Sequence, residues 1–460
     1  MARQLTDKYW DPKVETMSAD EMAALQFEKL KRQLAYNYNS SLLYKSKFEQ
    51  AGMKPEDVRS WEDFRRIPVT GKDEQKRSQE ASTAELGHPF GPGTITCATQ
   101  DKIVRLNSTS GTTGTPTLYA LTQHDVNIMN ELHARRLWMV GIRPGHRVLQ
   151  GLSLSMFTGG LPLSQGIMHS GACAVPVGAD GGTKRVLDFI ELTRPHALFT
   201  TPSFAQYVLE QCKKLIGKEA SELGLKWIFP VGEPGAGNVE VRKILSKGFG
   251  GAHICDQTGG GHSFQGAECL EPPEVYSGMH FTSADYCILE LLDPKTKKNI
   301  DMVDGAVGEM AMTFLDWEGT PFQRYAYGDL LQIATTPCGC GRTSLRFKIV
   351  GRADDMLIVK GVNVFPEAIK KEILKFVPRV TGFFKIILDK PGPSVIPPLK
   401  IRIEYGQDME EKDIGALEEQ MHKVFKETVR VTPKFIWVGP ESIPRETAKK
   451  TKLIEIVKAT

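Results

Sequence analysis

The sequence predicts an α/β protein of two unequal domains, and three observations carry that expectation. The chain has 460 residues, more than one hydrophobic core usually serves. From about Arg147 to Val231, short apolar runs alternate with helical stretches, the pattern of buried strands joined by helices. After about Gly351 the composition changes, and alternating strand-like segments flank one amphipathic helical segment, which suits a small α+β unit.

Each element has its own signal. Ser18-Ala19-Asp20-Glu21 has the form of a capping box, and Ala23, Phe27, Leu30, Leu34 and Tyr38 follow at helical spacing. Ala172–Val177, Ala197–Thr201 and Lys226–Val231 read as buried strands. Pro176, Pro202 and the run from Pro230 to Gly235 lie at or just past their ends, where open α/β sheets bind ligands. In the smaller unit Gly382–Leu388 and Leu399–Tyr405 read as strands, Glu410–Thr428 as a helix and Lys434–Val438 as the closing strand. Pro391-Gly392-Pro393 and Pro397-Pro398 bracket a loop there. The boundary is expected near Gly351–Asp355, dividing residues 1–352 from 353–460. No internal repeat or long low-complexity segment occurs.

Composition excludes several classes of function. A hydrophobic content of 41% with 25% charged residues is ordinary for a soluble globular protein. The net charge of +3 is small and the lysines and arginines are spread out, so no nucleic-acid partner is expected. No run of about 18 apolar residues occurs, so no membrane partner is expected either. Met1–Asp7 precedes no apolar stretch of the kind a secretory signal needs. The eight cysteines are scattered apart from Cys338-Gly339-Cys340 and read as reduced thiols or metal ligands. A cytoplasmic monomer or homodimer is the expectation.

Ser108, Thr109, Ser110, Gly111, Thr112, Thr113 and Gly114 concentrate glycines and hydroxyls. Glycines let several backbone N–H groups turn toward one anion, and hydroxyls add donors. Lys102 and Arg105 nearby would raise the local potential. Composition alone leaves this stretch between an anion cradle and an ordinary polar surface loop. It is not a Walker loop, because Thr115-Pro116-Thr117 follows where Gly-Lys-Ser/Thr is required.

The same run continued through Thr117 resembles the phosphate loop of the adenylate-forming enzymes, the acyl-CoA synthetases and their relatives. Tyr9-Trp10-Asp11, Cys338-Gly339-Cys340-Gly341-Arg342-Thr343 and Gly361-Val362-Asn363-Val364-Phe365-Pro366 resemble the phenylacetate–CoA ligase branch, in the same order and over nearly the whole chain. The resemblance implies a large multi-sheet α/β N-terminal domain that binds ATP and acid, with a small C-terminal α+β domain that rotates between two half-reactions. Arg324–Asp329 resembles the segment whose aspartate holds the ribose, a role for Asp329. Gly232, Glu233 and Pro234 match the segment along the adenine, and Arg352 is expected to reach the nucleotide. Gly351–Asp355 resembles the inter-domain junction, with Asp354 the hinge candidate and Asp355 the second choice. Read without the family, that junction is a polar linker.

Pro444–Lys452 resembles the segment bearing the adenylation lysine, which assigns that role to Lys449, although Ala448 stands where the family has glycine. A bridging lysine stabilises charge on the pentacovalent phosphorus; without the family the run reads as a solvated basic tail. Asp256, Gln257 and Thr258 fall in the segment after the adenine site. The family has a magnesium-holding glutamate where this chain has Gly259. Magnesium is then expected on phosphates and water, with Asp256 or Glu268 as substitutes. Cys269 and His280 stand at places that resemble the remaining zinc-ligand positions of relatives. With Cys338 and Cys340 they would close a structural tetrahedral site.

The resemblance builds the acid pocket from Leu152–Gly160, Thr201–Ser203, Gly232 and the stretch after Thr258. The individual candidates are Ser153, Ser155, Phe157, Gly160, Ser203, Gly259, Gly260, Gly261 and His262. Leu152–Met156 carries no tyrosine where phenylacetate-type relatives have them. The acid is therefore expected to be aryl, of the phenylacetate or benzoate type, or short and branched or hydroxylated, of the 2-hydroxyisobutyrate type. The implied activity is an AMP-forming acid–CoA ligase using ATP, magnesium and CoA. The other readings are an acid-adenylating enzyme with a non-CoA acceptor and a non-catalytic ATP-binding relative.

Overall fold

The computed structural model describes residues 4–108, 116–233, 235–260, 263–270, 278–360, 362–445 and 452–457. A five-stranded parallel sheet runs in the order Cys173–Val175, Arg147–Gln150, Ala197–Thr200, Trp227–Pro230, His253–Ile254. All four residues of Ala197–Thr200 are buried, because helices cover both faces of the sheet. The helices Thr183–Thr193, Pro202–Ile216 and Val239–Gly248 supply Val186, Phe204 and Leu245 on one face. The helices Gln123–Met139 and Leu161–His169 supply Leu137 and Ile167 on the other. The three strands read from the sequence appear within two residues of their expected ends.

Near the N-terminus the capping box forms as expected. The Glu21 amide donates to Ser18 Oγ at 3.3 Å and the Ser18 amide to Glu21 Oε2 at 3.1 Å, starting the helix Ala19–Ser40. Leu30 and Leu34 on its inner face are fully buried.

Residues 257–352 form most of a second, mainly antiparallel sheet, whose strands sequence periodicity did not mark. Its order is Asn299–Ile300, Cys287–Leu292, Val307–Phe314, Tyr325–Ala334, Arg346–Arg352, Met279–Phe281, Phe264–Ala267, Gln257–Gly260, with Thr70–Gly71 added beside Tyr325–Ala334. The strand Cys287–Leu292 is buried at every position, so it shows no polar alternation. Stacked rings fill this core, with Phe322 4.5 Å from Phe314 and 4.0 Å from Tyr325.

The C-terminal part has a separate core. A four-stranded sheet orders Lys434–Val438, Lys400–Tyr405, Val380–Leu388, Ile454–Ile456. The helices Pro366–Leu374 and Ile414–Thr428 pack on it through Ile369, Ile373, Leu417 and Phe425. The expected helix over Glu410–Thr428 begins later, at Ile414, because Glu411–Asp413 forms a separate 3-10 turn. Among the described residues, no helix is long and apolar enough to cross a membrane.

Candidate functional site

Beyond the carboxyl ends of the parallel strands, the loops of neighbouring strands are tied to one another. Past Ala197–Thr200, Thr201 caps the helix Pro202–Ile216, its Oγ1 accepting from the Phe204 amide at 3.1 Å. The Ser203 amide in that first turn donates to Glu233 Oε1 at 2.8 Å. A carboxylate at a helix N-terminus is favoured by the backbone dipoles, so Gly232-Glu233 is tied to the neighbouring strand's helix. Past Arg147–Gln150, Gln150 Nε2 donates to the carbonyls of Gly159 and Gly160 at 2.5 and 2.7 Å, shaping the turn that carries Phe157 and Gly160. The Ser108 amide donates to Met156 O at 3.1 Å. The end of the strand Arg105–Ser108 therefore touches the loop bearing Ser153 and Ser155, which are half-buried and exposed respectively.

Asp329 and Arg352 are directly paired across two antiparallel strands. Arg352 Nη1 donates to Asp329 Oδ1 at 2.9 Å, while Nε and Nη2 close on the two Asp354 oxygens at 2.7 and 2.8 Å. Burial works against the guanidinium charge, but the hydrogen bond to Asp354 and the charge of Asp329 outweigh it and hold Arg352 above its ordinary value. Gly328 makes this fork possible: its φ is +92°, and a Cβ there would lie 2.7 Å from Arg352 Nη2. Asp355 lies beside the fork and is pushed up by burial and by the charge of Asp354.

Gly259 is closely approached. A Cβ there would meet Gln265 Oε1 at 3.0 Å and Arg136 Nη1 at 3.4 Å, so a side chain would require Gln265 to give way by a few tenths of an ångström. Arg136 Nη1 also donates to Thr258 O at 3.1 Å. Gln257 turns inward and is 2% exposed, whereas Asp256 and Thr258 are half-buried. Glu268 is engaged elsewhere: Arg242 takes both its oxygens at 2.9 and 3.0 Å. Arg105 is engaged as well, donating to Gln165 Oε1 and to Met129 Sδ. Thr109, Ser110, Gly111, Thr112, Thr113, Gly114, Pro234, Gly261, His262 and Lys449 lie outside the described residues.

A second cluster forms where the antiparallel sheet meets the Cys338 loop. The donor atoms of Cys269, His280, Cys338 and Cys340 all lie within 4.8 Å of one another. Cys269 Sγ is 3.6 Å from Cys338 Sγ, and Cys340 Sγ is 3.3 Å from His280 Nε2. Sulfurs bound to one tetrahedral zinc stand about 3.8 Å apart, so three sulfurs and an imidazole at these separations fit that ion. The Cys340 thiol is held well below its ordinary value by hydrogen bonds from Cys269 and His280.

Sequence reasoning missed the groups that brace these sites. Tyr9 Oη donates to Cys340 O at 3.1 Å, and Arg342 Nε to Glu15 Oε2 at 2.7 Å, locking the N-terminal segment onto the cysteine loop. The Tyr9-Trp10-Asp11 run pointed to the region, but no spacing pointed to Glu15.

A helix-covered parallel sheet followed by a small α+β unit, with an arginine–carboxylate fork at the junction, is the framework of a nucleotide-binding α/β enzyme. The chain belongs to the AMP-binding enzyme family: that family matches residues 39–312, and the AMP-binding enzyme C-terminal domain matches residues 361–456. It is 32% identical to the phenylacetate-coenzyme A ligase of Thermus thermophilus over 464 aligned positions, covering 97% of this chain and 98% of that protein. A 2-hydroxyisobutyryl-CoA ligase in its postadenylation state with 2-HIB-AMP superposes with a TM-score of 0.89 at 26% identity, over 99% of this chain and 94% of that one. The same ligase in its thioesterification state, with 2-HIB-AMP and CoA, superposes with a TM-score of 0.70 at 26% identity, over 100% of this chain and 94% of that one.

Proposed function

We propose that this chain is an AMP-forming carboxylic acid–CoA ligase. A carboxylate oxygen of the acid attacks the α-phosphorus of ATP, forming the acyl-adenylate and releasing pyrophosphate. The CoA thiolate then attacks the acyl carbon, forming the thioester and releasing AMP. The observation that carries the reading is the Arg352 fork, which joins Asp329 to Asp354 at the start of the C-terminal unit.

In this reading residues 1–352 bind ATP and acid, and residues 353–460 form the mobile unit, with Asp354 as hinge. Asp329 accepts from the ribose hydroxyls, a task a carboxylate performs well. Gly232, Glu233 and Pro234 lie along the adenine, and Ser108 to Gly114 grip the phosphates. Lys449 bridges the attacking carboxylate and the α-phosphate, stabilising charge in the transition state. Asp256 and Thr258 face the phosphate end, where magnesium, held largely by phosphates and water, would neutralise charge on the leaving pyrophosphate. Cys269, His280, Cys338 and Cys340 would hold a structural zinc, since four protein donors leave no open position.

The acid is aryl or a short, branched or hydroxylated one, taken by Ser153, Ser155, Phe157, Gly160, Ser203 and the 259–262 stretch. The partners are small molecules, and the setting is cytoplasmic. The test is AMP release across phenylacetate, benzoate and 2-hydroxyisobutyrate, with CoA present and absent. CoA-dependent AMP release with one of these acids is expected. Acid-dependent release with no thioester product would place the acyl group on another acceptor.

A further inference from the structure

The structure assigns to Glu210 a positioning role in the adenylation half-reaction: through Arg445 it holds the loop that leads into the Lys449 segment. The inference rests on the ligase reading above. At equal identity, the chain superposes better on the postadenylation state of 2-hydroxyisobutyryl-CoA ligase than on its thioesterification state, 0.89 against 0.70. The arrangement described here is therefore nearer the first.

Beyond the junction itself, three contacts among the described residues bear on how the C-terminal unit sits on the rest. Leu374 is buried in the core that holds Phe204, Val208 and Leu245. Lys370 Nζ lies 3.4 Å from a Cβ placed on Gly235, beside the proposed adenine segment. The third is an ion pair, Arg445 Nε to Glu210 Oε2 at 3.6 Å. It lies on the helix Pro202–Ile216, whose first turn also holds Glu233 through Ser203.

Arg445 is a fixed post within its own unit. Its two Nη atoms donate to the buried Glu404 at 2.8 and 2.9 Å, and the guanidinium lies 3.5 Å over the Phe383 ring. Glu404 also accepts from the Ile443 amide, which fixes the backbone just before Arg445. Arg445 Nε is buried and has no hydrogen bond among the described residues, so Glu210 is the charge that meets this edge. Three residues separate Arg445 from Lys449 along the chain. Glu404 belongs to the small unit and travels with Arg445 through any rotation. Glu210 belongs to the large unit and can favour only the arrangement in which Arg445 faces it.

The test separates the half-reactions in Glu210→Gln and Glu210→Arg. Partly exposed ion pairs shift an equilibrium about two- to fivefold. Acid-dependent pyrophosphate–ATP exchange is expected to fall by that factor in Glu210→Gln and further in Glu210→Arg. Single-turnover thioester formation from preformed acyl-adenylate and CoA is expected to hold or rise in both. Equal losses in the two half-reactions, or unchanged exchange in Glu210→Arg, overturn the inference. Small-angle scattering of the wild type and Glu210→Arg gives a readout apart from activity: the variant is expected to depart from the profile of this arrangement, and identical profiles overturn the inference. If the wild type exchanges with no acid, the ligase reading fails while scattering still decides the contact.

Discussion

Asp329 and Arg352 face each other across two antiparallel strands and are joined by a hydrogen bond of 2.9 Å. The remaining guanidinium nitrogens hold Asp354, so one side chain links the proposed ribose carboxylate to the proposed hinge. A lysine at 352 would keep the charge but lose the fork. Hydrogen bonds to charged groups contribute about 1.5–3 kcal/mol. Arg352→Lys is therefore expected to lower kcat/KM for ATP about 10- to 100-fold. An unchanged ATP dependence in steady-state kinetics would remove Arg352 from the nucleotide site.

Glu367 opens the helix Pro366–Leu374. Burial pushes its carboxyl up; Lys370 opposes, and the charges of Glu233 and Asp355 add to the rise. A carboxyl raised in the folded state contributes stability that is present below its unfolded value, about 4.3, and lost as pH rises through the folded value. At pH 7 the charged form is a burden that an amide lacks. Glu367→Gln is expected to melt about 2 °C above the wild type at pH 7, with the gap closing toward pH 4. Parallel melting curves at the two pH values would contradict this.

The cysteine–histidine cluster separates ligands from bystanders. Cys269→Ser is expected to remove the proposed zinc and lower the melting temperature by roughly 5 °C or more. Cys173→Ser, at an exposed position, is expected to change neither. Metal analysis beside thermal melting checks both. Metal-free wild-type protein with unaltered melting would leave the four side chains as plain thiols and an imidazole.

Legibility in the sequence followed the range of the interactions. The capping box from Ser18 to Glu21 spans four residues, and the parallel strands announce themselves as apolar runs, so both could be read locally. The antiparallel sheet could not: Cys287–Leu292 is buried throughout, and its pairing with Val307–Phe314 leaves no periodic trace. Cys269, His280, Cys338 and Cys340 were legible through family resemblance, and the fold brings all four together. Glu15–Arg342 and Glu210–Arg445 join residues more than 200 positions apart, which no spacing rule can find. Gly259 stands where the family has a glutamate, and its neighbours Arg136 and Gln265 crowd a Cβ at that place.

Glu15 is the internal brace of the N-terminal segment. One oxygen accepts from the amides of Trp10 and Asp11 at 2.7 and 2.8 Å, and the other from Arg342, all within a buried pair. Removing one member of such a pair strands the other charge, typically at about 3–5 kcal/mol. Glu15→Ala is therefore expected to lower unfolding free energy by about that amount. Because Arg342 lies two residues beyond Cys340, faster zinc loss to a chelator is expected as well. Urea unfolding and chelator-release kinetics measure the two effects.

Arg136 is 4% exposed and pairs with no carboxylate among the described residues; it donates to Thr258 O and contacts His133 Nδ1 at 3.0 Å. Burial pulls its guanidinium down to about 9. For a cation the sign follows from proton binding: above that value the unfolded chain holds a proton the folded one has released, so stability rises with pH. Arg136→Met lacks this term. The wild type is expected to gain stability relative to the variant between pH 8 and pH 10, measured by urea unfolding at each pH. The hydrogen bond to Thr258 O gives the same substitution a second consequence. It frees the strand Gln257–Gly260, so pyrophosphate exchange at pH 7.5 is expected to fall about tenfold, the equivalent of one charge-assisted hydrogen bond. A variant with parallel pH dependence and full exchange would make Arg136 an ordinary packed side chain.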